Sequence, residues 1–286
     1  CNSGVSAARN TGIENATSDY IVFIDPDDTI KENYFSTIKA LMISTSVDVA
    51  ILGFYQIVED KDGNIVKEGE IFPQKNYISN SVKETVRNVL PKYLGYSVED
   101  ILEWVKSTEA ISKRLEWGAV WRNVYRRDFL NKNQIRFNPS IRLNEDSMFN
   151  AMCFSRAQKI RTLNKGSYCY TIRPSGAFMK KRDAELVGNK MALLEARSNI
   201  VNDLSESRFK FSVKDYAGSN VMSCFELIIK MPFSARRETK KYISNLLVKE
   251  SIKILPFTGR KKVDIPLLAL KCNLQALMIY AVNLGK

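Results

Sequence analysis

In the stretch SDYIVFIDPDDTI, Ser18 to Ile30, an apolar run ends in three carboxylates spread over four positions, Asp25, Asp27 and Asp28. A single acid after a strand is usually a turn or cap residue, and Asp28 or Thr29 fits that use. Three together repel one another unless a cation or cationic ligand compensates them. Asp25 and Asp27 have D-x-D spacing. At the C-terminal edge of a parallel strand such a loop can hold Mg²⁺ or Mn²⁺ through oxygens and leave metal positions open for a diphosphate. A second acidic pair, Glu145 and Asp146, follows Asn144, a candidate N-cap. In a first helical turn the dipole keeps carboxylates ionised, and an ionised carboxylate can take a proton from a hydroxyl. The plainer alternative is two acids complementing a helix start. The chain has no histidine, which excludes Ser-His-Asp and Cys-His catalysis and histidine-ligated zinc.

These groups need elements to position them. Val5 to Ala16 reads as a helix, Tyr20 to Ile24 as a strand, Lys31 to Ser44 as a helix and Val47 to Tyr55 as a strand. This alternation predicts an α/β layer architecture with a mainly parallel sheet. Asp62, Gly63 and Asn64 mark a hairpin turn. Ser79 to Leu115 has helical period and reads as an insertion covering the sheet. A helix is expected from about Asn144, then strands at Lys159 to Leu163 and Ser167 to Ile172. Beyond Pro174 and Ser175 the pattern turns helical, over Glu185 to Leu204, Val213 to Ile229, Glu238 to Leu255 and Ile265 to Val282. The expected division is therefore 1–175 and 176–286.

Two enzyme classes place D-x-D directly after an apolar strand. IVFIDPDDT matches the D-x-D-x-T of haloacid-dehalogenase-like phosphatases, with Asp25 as nucleophile and Asp27 as acid. The upstream context favours the other class. CNSGVSAARNTGIENATSDYIVFIDPDD resembles the family 2 glycosyltransferases in its N-x-G-x-S-A-A-R-N-x-G-I run, Asn2 to Ile13, its A-x-x-x-Y-I-x-F run, Ala16 to Phe23, and its D-x-D-D. Downstream, WRNVYRRDFLNKNQIRFNPSIRLNEDSMF resembles the acceptor-side segment of the same family. The likeness covers about Cys1 to Ser175.

The resemblance implies a GT-A type fold lacking its first strands and helices, so that the chain reads as an N-terminally incomplete piece that could bind ligand without turning over. It implies inverting transfer of a sugar from a nucleotide-diphosphate sugar to a saccharide or lipid-linked acceptor, in bacterial surface polysaccharide synthesis. Asp146 would be the base and Glu145 its orienting neighbour. Arg9, Asp25, Asp27 and Asp28 would meet the donor, with Asp27 and Asp25 holding Mn²⁺ or Mg²⁺. Trp117, Trp121 and Tyr125 could stack on sugar faces or simply be core. Arg173, Lys180, Lys181 and Arg182 form a basic cluster that could meet phosphate or solvent.

Lysine and arginine outnumber acids 43 to 31, a balance that favours phosphate-bearing partners. No helix-turn-helix, zinc-finger or RNP-type pattern accompanies it, so nucleic acid is not expected. Five scattered cysteines and no signal peptide suit a reducing cytoplasm. The apolar tail IPLLALKCNLQALMIYAV, interrupted by Lys271, Asn273 and Gln275, suits a buried or interfacial helix rather than a membrane span. With the basic balance, it suits peripheral contact with the inner face of a membrane.

Overall fold

The computed structural model describes residues 4–107, 116–174, 185–207, 209–274 and 278. The chain divides into two compact units, Cys1–Tyr93 with Glu116–Lys181, and Leu94–Leu115 with Arg182–Lys286.

The first unit is built on seven strands: β1 (Tyr20–Val22), β2 (Thr29–Ile30), β3 (Val49–Glu59), β4 (Ile65–Ile71), β5 (Ile78–Ser79), β6 (Asn123–Arg126) and β7 (Ile160–Ile172). Their order is β1-β6-β3-β7-β2, with β4 on β3 and β5 on β7. Successive side chains of a strand point to opposite faces. Ala50, Leu52 and Phe54 of β3 therefore share one face, which packs on Tyr34, Ile38 and Met42 of helix α2 (Tyr34–Thr45) with Trp121, Val124 and Tyr168.

The α/β class agrees with expectation; the strand direction does not. Among the described strands only β3 and β7 run parallel, and the remaining five pairings are antiparallel. Alternating helices and strands do not by themselves set direction, and the tight Asp60–Asn64 turn, with Gly63 at φ 84°, can only return β4 antiparallel to β3. The two strands expected within 159–172 are one. Its register with β3 shifts near Gly53 and Gly166, where a Cβ on Gly166 would lie 2.9 Å from the Phe54 carbonyl carbon. Beyond that irregularity the strand stays paired with β3 from Cys169 to Ile172, and Tyr168 and Cys169 pair with β2 as well.

Helix α1 (Val5–Asn15) precedes β1, while α3 (Val82–Asn88) packs on β5 and on a later helix of the same unit. The short α4 (Pro91–Leu94) ends at the boundary, and α5 (Val98–Lys106) belongs to the second unit. Of the expected insertion, Ser79 to Tyr93 therefore stays with the sheet. Helices α6 (Arg127–Lys132) and α7 (Glu145–Arg156) complete the first unit.

The second unit continues with α8 (Leu186–Glu206), α9 (Ala217–Lys230), α10 (Arg236–Ile243), α11 (Leu246–Ile254) and α12 (Lys261–Lys271). The single helix expected over Glu238 to Leu255 is broken in two, because Asn245 accepts from the Leu247 N–H at 2.9 Å and starts a new helix. α5 lies on α9 at Gly218, where a Cβ would come 2.5 Å from the Ser97 carbonyl oxygen. The expected helix to Val282 is seen to Lys271, and most of its remainder falls outside the described residues. No described helix is long and apolar enough to cross a membrane.

Candidate active site

Arg9 is the centre of the site. It lies on α1, whose next residue, Asn10, pairs with the Phe137 backbone through both ends of its amide, donating to the carbonyl at 2.9 Å and accepting from the N–H at 2.8 Å. This anchors α1 to the loop before α7. The Arg9 guanidinium sits 5.3 Å from the centroid of Phe137 and 6.0 Å from that of Phe23, and only 11% of its side chain is exposed. A cation over aromatic faces is attracted by the ring quadrupoles but loses water. Three carboxylates replace that water: Asp25 at 3.2 Å, Glu145 at 3.4 Å and Asp146 at 2.5 Å. Burial pulls the Arg9 pKa down, yet the charges of Asp146, Asp25 and Glu145 raise it above its ordinary value. One arginine thus joins the acid after β1 to the acidic pair at the start of α7, 137 residues from it in sequence for Asp146.

Asp146 is held at both oxygens. Oδ1 faces Arg9, and Oδ2 accepts from the Val120 N–H at 3.2 Å. Its carboxyl is pushed up to about 7, by burial first, with Glu145 and Asp25 adding repulsion and Arg9 and the Val120 N–H opposing. The expected effect of the helix dipole, an ordinary ionised acid, is outweighed by lost solvation. Asn144 does occupy the N-cap position, but in the left-handed region at φ 64°, and its side chain makes no capping bond. The strand-like segment opposite fits closely: a Cβ on Gly118 would lie 1.9 Å from the Ser147 Oγ, and the Gly118 carbonyl accepts from Asn150 Nδ2 at 2.7 Å. Gly118 thus allows the chain to bring the Val120 N–H to Asp146.

The acidic loop is a turn closed by the Asp28 N–H on the Asp25 carbonyl at 3.2 Å, with Pro26 in the second position where its fixed φ suits a turn. The Tyr168 hydroxyl accepts from the Asp25 N–H at 3.1 Å and donates to Asp28 Oδ2 at 2.7 Å. Asp28 Oδ1 accepts from the Thr171 N–H at 2.9 Å. Asp28 is therefore engaged in fastening the loop to β7, and burial raises its pKa despite these bonds. Arg173 donates to the Asp27 carbonyl at 2.7 Å and pairs with Glu59 at 2.9 Å. Its expected companions Lys180, Lys181 and Arg182 lie outside the described residues.

Asp27 is exposed and its carboxylate hydrogen-bonds to no described residue, and among the described residues Asp25 accepts side-chain bonds through Oδ1. Among the described residues no three acids are placed to enclose a metal by themselves. Mg²⁺-type sites that also bind phosphate need only one or two protein carboxylates, and Asp27 with the second oxygen of Asp25 fits that requirement.

The aromatic expectation separates. Trp121 is 4% exposed, stacked on Tyr168 at 4.6 Å and 9° and on Tyr170 at 5.0 Å and 20°; it is core, as is Tyr125. The apolar bulk that suggested a sugar platform is used to fill the sheet. Trp117 is 42% exposed, braced by Phe54 and Tyr170, and adjoins Gly118. Tyr168, Thr171 and the Val120 N–H carried no motif signal; their parts emerge only from strand pairing and chain crossing.

One acidic turn after a strand and a second acidic pair at a helix start are thus drawn onto the same arginine. Residues 1–103 match the model for "Glycosyl transferase family 2". It is 30% identical over 174 residues to the "Uncharacterized glycosyltransferase EpsJ" of Bacillus subtilis, covering 61% of this chain and 44% of that protein. It is 29% identical over 174 residues to "Glycosyltransferase GlyA" of Streptococcus pneumoniae, covering 60% and 22%. The chain thus spans less than half the length of these relatives. A crystal structure of S. aureus TarS 1–349 in complex with UDP-GlcNAc overlaps 99% of this chain and 69% of that one at 15% identity and a TM-score of 0.48, too loosely to bear on any residue.

Proposed function

We propose that this domain transfers a sugar from a nucleotide-diphosphate sugar to a hydroxyl of a saccharide or lipid-linked acceptor, with inversion, in the assembly of a bacterial surface polysaccharide. The observation that carries this reading is the convergence of Asp25, Glu145 and Asp146 on Arg9. The family-model match over residues 1–103 and the names of the relatives support the reaction class.

Asp146 accepts the proton as the acceptor oxygen attacks the anomeric carbon. The bond from that carbon to the β-phosphate oxygen breaks, its electron pair leaves with the nucleoside diphosphate, and one displacement inverts the centre. A carboxyl near 7 is matched to this work at neutral pH, since it is half ionised yet basic enough to hold the proton. The Val120 N–H keeps the second oxygen in place, and Glu145 keeps Arg9 from being claimed by Asp146 alone. Asp27 and Asp25 would hold Mn²⁺ or Mg²⁺, which when bound supplies Lewis-acid neutralisation of the diphosphate. Trp117 offers its open ring face to the acceptor.

The test is release of nucleoside diphosphate by the protein from a panel of donors, with and without Mn²⁺. Turnover is expected to need the cation and to be lost in Asp27→Asn and Asp146→Asn. Undiminished turnover in both variants would overturn the assignment. Hydrolysis of simple phosphomonoesters, abolished by Asp25→Asn, would return the site to phosphatase chemistry.

A further inference from the structure

Helix α12 of the second unit carries apolar residues on two sides. Val263, Leu267 and Leu270 turn inward, and Leu267 and Leu270 are fully buried. Residues three and four apart are neighbours on a helix surface. Ile265, Leu268 and Cys272 therefore line up on another side, where Ile265 is 63% and Leu268 50% exposed. A core-facing helix needs one apolar stripe; the second has no use within the described unit. Phe257, 54% exposed, extends the patch: its ring lies 5.2 Å from the Lys271 ammonium, and Lys271 is three residues from Leu268.

The charge around this patch has one sign. From Lys253 to Leu274 the basic residues are Lys253, Arg260, Lys261, Lys262 and Lys271, and the single acid is Asp264. Asp264 is already committed, accepting from the Thr258 N–H at 2.7 Å, the Thr258 hydroxyl at 2.9 Å and the Gly259 N–H at 2.8 Å. Lys261 continues the exposed apolar stripe one turn before Ile265, and Lys262 flanks it. Apolar side chains bordered by lysines are the pattern of a helix that lies in a lipid headgroup layer, with its apolar stripe sunk and its ammonium groups at the phosphates.

We propose that α12 and Phe257 form a docking surface for an anionic lipid bilayer. Ile265, Leu268 and Phe257 enter the interface, while Arg260, Lys261 and Lys262 meet the phosphates. An acidic protein would match the charge, but a flat lipid surface also takes the protruding apolar row without a complementary groove. This surface lies in the helical unit and does not rest on the proposed transfer chemistry.

The test is cosedimentation of the full chain with vesicles of phosphatidylcholine alone and of equal parts phosphatidylcholine and phosphatidylglycerol. Binding is expected to the anionic vesicles only and to weaken with salt. The double variant Ile265→Asp, Leu268→Asp and, separately, Lys261→Glu, Lys262→Glu should each weaken partition by about tenfold or more. All four positions are solvent-facing, and unchanged circular dichroism confirms that the variants fold. No binding by the parent chain, or equal binding by both variants, would overturn the proposal. So would a dimer in sedimentation equilibrium that the same substitutions dissociate, since the stripe would then be covered by a second copy.

Discussion

Replacing Asp146 by asparagine should remove activity and add stability, and the second effect is large enough to measure on the folded chain alone. Asparagine keeps the shape of the side chain and removes its charge. The carboxyl ionises near 3.8 when solvated and at about 7 in the fold. Between those values the native state holds a proton that the unfolded chain has released, so stability falls as pH rises through this window and the loss is complete above about 7. At 1.36 kcal/mol per pH unit the gap amounts to about 4 kcal/mol as a ceiling. The side chain is 19% exposed, and water reaching it reduces the expectation to ~2 kcal/mol. Urea denaturation of parent and variant at about pH 4 and about pH 8.5 checks this: the curves should nearly coincide at the acid end, and the variant should be the more stable by ~2 kcal/mol at the alkaline end. Equal pH dependence in the two proteins would refute the reasoning, because burial would then not be setting the acidity of this group. Under the proposed transfer chemistry the corresponding result is a rate that climbs as pH rises through about 7, where Asp146 loses its proton.

Arg9→Lys should retain charge yet lose the fork that reaches Asp25 and Asp146 together, lowering kcat by about tenfold or more, as steady-state nucleoside diphosphate release would show. The two tryptophans should respond oppositely: Trp121→Ala destabilises by about 3–5 kcal/mol in thermal or urea unfolding, whereas Trp117→Ala leaves the midpoint nearly unchanged and raises the KM for acceptor. Gly118→Ala should perturb both stability and the pH of the rate limb, since its methyl would strike Ser147 and displace the Val120 N–H from Asp146; a pH–rate profile superimposable on the parent's would contradict this.

The elements that carry chemistry were legible where local signals were strong. The apolar run before Asp25, the α1 motif with Arg9 and the acidic pair after Asn144 all lie where the spacing put them, because strand and helix starts are local events. What could not be read was direction and company. The β3–β7 pair is parallel and its neighbours antiparallel because of connections that meet only in three dimensions. Tyr168 looked like an ordinary strand tyrosine, yet its place opposite Ile30 puts its hydroxyl under the acidic turn. Trp121 and Trp117, four residues apart in one aromatic-rich segment, both meet Phe54 and Tyr170, yet Trp121 is also stacked on Tyr168 and buried while Trp117 is left open. The ionisation of Asp146 was misjudged for a related reason: a helix dipole is visible in a sequence, and the depth at which a helix begins is not.

The stack of Trp121 on Tyr168 gives this protein an optical reporter. Tyr168 holds both ends of the acidic turn through one hydroxyl, and its ring lies face to face with the indole at 4.6 Å. Any movement of the turn that draws on that hydroxyl must tilt the tyrosine against its neighbour and alter the emission of a tryptophan shielded from solvent. A Trp104→Phe, Trp117→Phe background leaves Trp121 as the one tryptophan of the sequence's three, so that occupancy of the loop could be followed through its emission by titration without dye, label or turnover.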